Sequence, residues 1–186
     1  MKLVLVGDKC GKTSIIQRWI YPHQAIRTES TIAIDMKSIV IPTDGKPHVV
    51  QMWDCCGESF YRNLLDKYLF NANCIVVCFD LTSQHSWLTA QYWIDKSREV
   101  ASQTPICLIG NKLDLESGRQ IREQVVKKYI DFIPVPYIFY SELSAYTGEH
   151  CKETLRMIIR EGSRNIRVYN LSDFKKRAPE KSCTIV

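Results

Sequence analysis

The sequence predicts an α/β fold: a mostly parallel six-stranded sheet flanked by helices. Apolar strand-like runs alternate with amphipathic helical stretches along nearly the whole chain of 186 residues. Most of the strand-like runs are continuously apolar, which is typical of a sheet that is covered on both faces. We expect one folded domain at residues 1–165 and a flexible basic tail at 166–186.

Six strands and five helices account for this pattern. The strands are predicted at 3–6, 38–41, 49–53, 74–79, 106–109 and 137–140, and the helices at 13–20, 60–70, 87–100, 122–130 and 149–161. The second and third strands should form a hairpin, because the Asp44-Gly45 pair between them is the strongest short hairpin signal. The last helix carries a single apolar stripe at helical spacing.

The composition excludes several functional classes. The chain has 25 Lys and Arg against 20 Asp and Glu, and most of the excess lies in the tail. A nucleic-acid binder spreads its basic residues over the surface that faces the groove, so no nucleic-acid partner is expected. The longest apolar run, 74–79, is too short to span a membrane, and no signal peptide is recognisable. We therefore expect neither secretion nor a membrane-spanning segment.

The eight cysteines are expected to be free thiols in a reducing compartment. Cys74, Cys78 and Cys107 lie in apolar runs, where a thiol behaves as a small hydrophobe. No pair of C-x-x-C motifs offers a zinc site.

A glycine-containing turn follows the first strand and opens the first helix. Residues 7–14 read Gly-Asp-Lys-Cys-Gly-Lys-Thr-Ser, a context in which backbone N–H groups and a helix N-terminus can bind phosphate. Lys12 can reach the terminal phosphates, and the Thr13 hydroxyl can bind Mg²⁺. The usual spacing is G-x-x-x-x-G-K-[ST], whereas only three residues separate Gly7 from Gly11. The candidate nucleotide-binding residues of this turn are Gly7, Lys9, Cys10, Gly11, Lys12, Thr13 and Ser14.

Cys10 has two interpretations. A thiol near a helix N-terminus and beside Lys9 is expected to have a lowered pKa, which would permit redox sensitivity. Filling the interior of the loop is the favoured interpretation.

Two further polar motifs each follow a strand. Asp54 ends the third strand and is placed to hold Mg²⁺ through water, and the N–H of Gly57 can meet a γ-phosphate. Asn111-Lys112-Leu113-Asp114 ends the fifth strand, and its last carboxylate can accept hydrogen bonds from N1–H and the 2-amino group of guanine. Ligands of such sheets bind at the carboxyl ends of the strands, so the three motifs should lie together.

With these motifs the chain resembles a small GTPase of the Ras superfamily, closest to the Rab branch, over residues 2 to about 165. The resemblance implies a P-loop small G-domain that binds GTP or GDP with Mg²⁺. It also rests on the segments 30–35 (Ser-Thr-Ile-Ala-Ile-Asp) and 144–145 (Ser-Ala). It implies that Thr31, with Thr13 and Asp54, holds Mg²⁺, and that Ser144, Ala145 and Tyr146 border the base.

The resemblance also implies partners. An effector, an exchange factor and an activating protein would contact the segments from Thr28 to Ile34 and from Gly57 to Tyr68. Catalysis would depend on Lys12, Gly57 and the residue that positions water.

Five departures from the family lie in the nucleotide site. The turn at 7–11 is one residue short, Glu58 replaces the water-orienting glutamine, and Ala33 replaces a glycine. Glu58 can accept a proton from water, but it cannot donate to the transition state and its charge opposes the γ-phosphate, so slow hydrolysis is expected. Gln24 stands where an aromatic ring usually covers the base, and Tyr146 replaces a lysine. One hypothesis is that Tyr146 supplies the missing ring; the alternative is an ordinary surface tyrosine.

The chain ends in Cys183-Thr184-Ile185-Val186, a C-a-a-X pattern behind Lys175-Lys176-Arg177. The resemblance implies that a prenyl transferase modifies Cys183. One lipid anchors only marginally, so the basic cluster would supply a second membrane signal. We expect a protein on the cytoplasmic face of a membrane with a cytosolic pool; the alternative is an unmodified, solvated tail.

The sequence thus favours a guanine-nucleotide switch that acts at membranes, in vesicle trafficking or signalling. The alternative is an interaction module of the same fold that binds nucleotide weakly or permanently without turnover. An ATP-using P-loop kinase is disfavoured by Asn111-Lys112-Leu113-Asp114.

Overall fold

The computed structural model describes residues 1–26, 34–43, 46–57, 62–133 and 138–164. The strands are β1 (Lys2–Val6), β2 (Ile34–Thr43), β3 (Lys46–Cys55), β4 (Cys74–Asp80), β5 (Ile106–Asn111) and β6 (Ile138–Glu142). The helices are α1 (Lys12–Ile20), α2 (Arg62–Leu69), α3 (Gln84–Val100), α4 (Glu123–Phe132) and α5 (Cys151–Arg164), and a 3₁₀ turn lies at Glu116–Gly118.

The six strands form one sheet in the order β2-β3-β1-β4-β5-β6. All neighbours are parallel except β2 and β3, which are antiparallel, so the predicted α/β architecture is confirmed. The β2–β3 register runs from Ile34 opposite Cys55 to Thr43 opposite Lys46. This register confirms the predicted hairpin, whose turn at 44–45 lies outside the described residues.

Two apolar cores cover the two faces of the sheet. Alternate residues of β1 face opposite ways: Leu3 and Leu5 pack with α1 and α5, whereas Val4 and Val6 pack with α2, α3 and α4. Every residue of β4 is buried, as expected for a central strand covered on both sides. The seven described cysteines are buried free thiols, which confirms that they are unpaired and agrees with the prediction of Cys74, Cys78 and Cys107 as small hydrophobes.

Several element bounds differ from the prediction. β2 is ten residues long rather than the predicted four. It is the edge strand, and polar residues at its exposed positions interrupt the apolar run by which a strand is recognised. α3 begins at Gln84 rather than 87, because Ser83 caps it by accepting a hydrogen bond of 3.2 Å from the N–H of Ser86. α5 begins at Cys151 rather than 149, because the Ser144 N–H donates to the Glu149 carbonyl and keeps that residue in the preceding loop. Within the described ranges, no helix is long and apolar enough to cross a membrane.

Candidate functional site

The turn between β1 and α1 is compressed against the core. Gly7 has φ 132°, and an added Cβ would lie 2.1 Å from the carbonyl oxygen of Cys78, so only glycine fits. Two residues later Lys9 has φ 48°, in the left-handed region. The missing residue is therefore compensated by a backbone conformation that costs a lysine about 1 to 2 kcal/mol.

Cys10 lies beneath this turn with its side chain fully buried. The Cys78 thiol hydrogen-bonds to Cys10 and lowers the pKa of the Cys10 thiol, which burial alone would raise. The lowered pKa predicted from the sequence thus has a different cause, the neighbouring thiol of β4. Burial favours the interpretation of Cys10 as a residue that fills the loop.

Lys12, the first residue of α1, folds back over the turn. Its ammonium donates a hydrogen bond of 2.6 Å to the Gly7 carbonyl, and the side chain is only 7% exposed. Burial alone lowers the pKa of Lys12, but the charges of Cys10 and Asp54 outweigh it and the pKa lies above its ordinary value. Lys12 is therefore a fixed positive charge at the start of α1, where the sequence predicts that phosphate binds.

Thr13 and Asp54 meet at the same point. The Thr13 hydroxyl donates a hydrogen bond of 2.5 Å to the Asp54 carboxylate, which lies at the end of β3 and is 3% exposed. Among the described residues, no side chain forms a capping hydrogen bond at the N-terminus of α1, a position whose N–H groups suit an anion. Ser14 follows Thr13 in the first turn of the same helix.

The donor set fits Mg²⁺. A hydroxyl and a carboxylate are hard oxygen donors, and Mg²⁺ in nucleotide sites takes one or two protein ligands besides phosphates and waters. In the described part of the chain, no group of three His, Cys, Asp or Glu side chains could hold a metal by itself. Thr13 and Asp54 are therefore suited to a cation that arrives with a phosphate.

Gly57 lies directly against the phosphate turn. A Cβ added at Gly57 would lie 2.5 Å from the Gly7 carbonyl oxygen and 2.7 Å from the Cα of Asp8, so a side chain would clash with backbone. Asp8 is itself oriented by α3, since the indole N–H of Trp93 donates a hydrogen bond of 3.4 Å to its carboxylate. Among the predicted site residues, Thr31, Glu58 and Cys183 lie outside the described residues.

Asn111 connects the phosphate turn to the loop at 144–146. Its side-chain N–H donates a hydrogen bond of 2.8 Å to the Cys10 carbonyl, and its side-chain oxygen accepts one of 3.0 Å from the Ala145 N–H. Asn111 is buried at the end of β5. One amide thus holds together the two loops that the sequence assigned to phosphate and to base.

Asp114 and Lys112 flank the same loop. The Ser144 hydroxyl donates a hydrogen bond of 2.5 Å to the Asp114 carboxylate, which orients that carboxylate. The Lys112 ammonium forms an ion pair of 2.6 Å with Asp80 at the end of β4. Burial alone would raise the pKa of Asp80, but hydrogen bonds from Lys112 and Thr82 lower it below its ordinary value.

The hypothesis about the base-covering ring concerns Tyr146, which would take the place of the ring missing at Gln24. Tyr146 is 77% exposed. Gln24 lines a cavity of about 380 Å³ between α1 and β2, with Gln17, Tyr21 and Lys37 among its neighbours. The hypothesis that Tyr146 replaces a ring over the base therefore stays a prediction.

Sequence reasoning missed three residues: Arg18 and Asp80, which contact the loops of this site, and Met36 in the β2–β3 hairpin. Arg18 on α1 donates to the backbone of the loop at 144–146, and Asp80 orients Lys112. Met36 lies opposite Trp53 in the hairpin and is 44% exposed, and the Trp53 ring packs on Tyr68 at 5.4 Å between centroids. A basic residue in the last turn of a helix and an aspartate at a strand end are too common to have signalled these roles.

A phosphate turn, a Thr–Asp pair and an Asn-Lys-x-Asp loop, all at the carboxyl ends of parallel strands, define a nucleotide-binding domain of the small GTPase class. The Ras family model matches residues 2–164, and the chain belongs to this family.

Two relatives show where the similarity lies. Ras-related protein RabG2 of Dictyostelium discoideum is 28% identical over 166 residues, which cover 88% of this chain and 83% of RabG2. EF-hand calcium-binding domain-containing protein 4B of Homo sapiens is 31% identical over 161 residues, or 86% of this chain. The chain spans only 22% of the length of that human protein. Together with the family match, the similarity to RabG2 supports a Rab-like small GTPase.

Proposed function

We propose that this protein is a guanine-nucleotide-dependent switch that acts at membranes, in vesicle trafficking or signalling, and hydrolyses GTP slowly. The observation that carries the proposal is the position of Asn111, whose amide contacts both Cys10 in the phosphate turn and Ala145 in the base loop. A single ligand with a phosphate at one end and a purine at the other suits this arrangement.

The predicted site residues have the following roles in that proposal. Lys12 would supply a fixed positive charge to the phosphates, and the N–H groups at the start of α1 would bind phosphate oxygens. Bound Mg²⁺ would neutralise phosphate charge, and Thr13 and Asp54, with Thr31, are the residues that would hold it. Asp114, held by Ser144, would accept from N1–H and the 2-amino group of guanine.

Slow hydrolysis is proposed from two features. Glu58 would position the attacking water without donating to the transition state. The compressed turn at 7–11 offers one backbone N–H fewer than the usual spacing, which reduces the donors available to the phosphates. Gly57, held against Gly7, would place its N–H at the γ-phosphate end.

The switch itself would be read by partners. Loss of the γ-phosphate would release the segments from Thr28 to Ile34 and from Gly57 to Tyr68, which effectors, exchange factors and activating proteins would contact. The partly exposed Met36 and the ring pair of Trp53 with Tyr68, the last residue of the second segment, would provide apolar contact area.

Membrane attachment is proposed from the tail. A prenyl transferase would modify Cys183, and Lys175, Lys176 and Arg177 would add attraction to anionic lipid. The protein would then partition between the cytoplasmic face of a membrane and the cytosol.

A second candidate is a nucleotide-locked or nucleotide-free interaction module. The left-handed conformation of Lys9 favours it, because a strained, shortened turn can misdirect the N–H groups that bind phosphate.

One experiment separates the two candidates. One sample of the purified protein is denatured, and the released nucleotide is identified by chromatography. A second sample is loaded with GTP, and single-turnover hydrolysis is followed. Recovered GDP with measurable turnover supports the switch. Recovery of intact GTP without turnover supports a module that holds nucleotide permanently. Recovery of no nucleotide, together with no binding of added GTP, supports a module that works without nucleotide.

A further inference from the structure

The guanidinium of Arg18 donates hydrogen bonds to three backbone carbonyls in two loops. Its Nε donates a hydrogen bond of 2.8 Å to the Ala145 carbonyl, and one terminal nitrogen donates one of 2.6 Å to the Tyr146 carbonyl. The other terminal nitrogen donates one of 2.6 Å to the Pro22 carbonyl, in the chain that leaves α1. All three donor nitrogens of the side chain are therefore used.

The position of this guanidinium is set by α1. Ile15, Ile16 and Trp19 bury one face of the helix, and the Trp19 indole N–H donates a hydrogen bond of 2.9 Å to the Cys151 carbonyl on α5. The rotation of α1 about its axis is thereby fixed. Arg18 lies on the same rigid helix as Lys12 and Thr13, so the phosphate end and the Arg18 contacts move as one unit.

Arg18 holds the carbonyls in the middle of the loop at 144–148, whereas Asn111 accepts from the Ala145 N–H. Ser144 anchors its start through Asp114, and the Gly148 N–H donates a hydrogen bond of 2.8 Å to the Ser144 carbonyl. Tyr146 is exposed and does not anchor the loop by burial. A Cβ added at Gly148 would lie 3.5 Å from the Arg18 Cδ, so the loop also packs on the aliphatic stem of Arg18.

We propose that Arg18 is a positioning residue for base recognition: it holds the carbonyls of Ala145 and Tyr146 so that the loop backbone faces the 6-oxo edge of a guanine. This inference rests on the proposed binding of guanine nucleotides. Arginine is suited to the role because its planar fork aims several donors in fixed directions, whereas a lysine ammonium is a single point charge on a flexible stem.

The test compares two diphosphates that differ at the 6 position. GDP and 6-thioguanosine diphosphate keep the N1–H and the 2-amino group that Asp114 would bind, but sulfur accepts hydrogen bonds weakly. Affinities of both are measured for the wild type, for Arg18→Met, which keeps the apolar stem, and for Arg18→Lys. The matched control is Arg160→Met, since Arg160 is exposed on α5 and its described bond is to the adjacent Glu161.

In Arg18→Met we expect GDP affinity to fall about tenfold, as for loss of one or two charge-assisted hydrogen bonds. The affinity for 6-thioguanosine diphosphate should fall less, so the preference for GDP shrinks; Arg18→Lys should be intermediate and the control unchanged. Equal losses for both ligands, or no preference in the wild type, would overturn the inference while leaving guanine-nucleotide binding intact. A wild type that binds neither ligand overturns the proposed function as well.

A second measurement, on Arg18→Lys, tests the inference even if the Arg18→Met variant folds poorly. Amide hydrogen exchange at Thr147 and Gly148 in nucleotide-free Arg18→Lys should be faster than in the wild type, with α5 unchanged. Unchanged exchange at these two residues contradicts the inference.

Discussion

The Thr13 hydroxyl and the Asp54 carboxylate are joined by a hydrogen bond of 2.5 Å, which connects the first turn of helix α1 to the end of strand β3. The contact spans 41 positions in sequence and joins the phosphate turn to the strand that leads into Gly57. A cation held at this pair would therefore link the turn at 7–11 to the strand that leads into Gly57.

Thr13→Ala should weaken the dependence of nucleotide release on Mg²⁺. In the wild type, chelation of Mg²⁺ should accelerate GDP release; in the variant, release should already be about tenfold faster in Mg²⁺ and respond little to chelator, since one ligand is lost. Fluorescent GDP displacement measures both rates. Thr89→Ala is the control, because the Thr89 hydroxyl donates only to the His85 carbonyl within α3. An unchanged chelator response in Thr13→Ala contradicts the assignment.

Lys9→Gly should stabilise the protein by about 0.5 to 1 kcal/mol. Relief of the left-handed conformation at φ 48° exceeds the added entropy of the unfolded chain. Urea denaturation of the nucleotide-free protein measures the free energy of unfolding. Lys152→Gly in α5 is the control and should destabilise by about 1 kcal/mol, because glycine is unfavourable within a helix. A destabilised Lys9→Gly would mean that the Lys9 side chain contributes more than its backbone costs.

The fold class was predictable because local sequence patterns mark most of its strands. The apolar runs of β4 and β5 and the turn pair at 44–45 depend only on local sequence. The length of β2 was not predictable, since an edge strand exposes polar residues that resemble a loop.

The candidate site was predictable where a motif has fixed spacing and not where contacts are distant. Lys12, Asp54, Asn111 and Asp114 lie at or after the ends of strands in a recognisable order, and the structure places these ends at the carboxyl side of the sheet. The bonds of Arg18 to Ala145 and Tyr146 cross more than a hundred positions of sequence and involve backbone carbonyls, which every residue has. Such contacts leave no signal in the residue types.

Asp114→Asn should change base preference from guanine to xanthine. An asparagine amide can donate to the 2-oxo group of xanthine but cannot accept both guanine donors, and the Ser144 hydroxyl would still orient it. GDP affinity should fall at least about a hundredfold while xanthosine diphosphate affinity rises. Titration of both nucleotides measures the exchange of preference, and Asp131→Asn, exposed on α4, should leave it unchanged. Retained GDP affinity in Asp114→Asn would remove Asp114 from the base site.

The Asp80–Lys112 ion pair should make the free energy of unfolding fall as the pH is lowered into the acidic range. The pKa of Asp80 is lowered in the fold relative to 3.8, so its stabilising contribution is complete above that value and is lost as pH falls through the lower folded pKa. Asp80→Asn should therefore destabilise by about 2 kcal/mol near neutral pH and by progressively less below about pH 4. Urea denaturation across this range measures the difference. Asp35→Asn is the control, because its pair with Lys37 is exposed and should contribute under about 1 kcal/mol.

The central claim is that a compressed glycine turn and an aspartate together select a guanine nucleotide. Isothermal titration calorimetry of the nucleotide-free protein with GDP and with ADP, both in Mg²⁺, tests it most directly. The account predicts that GDP binds and that ADP binds at least about a hundredfold more weakly, because adenine lacks the donors that Asp114 would accept. Equal affinity for both nucleotides, or binding of neither, would contradict it.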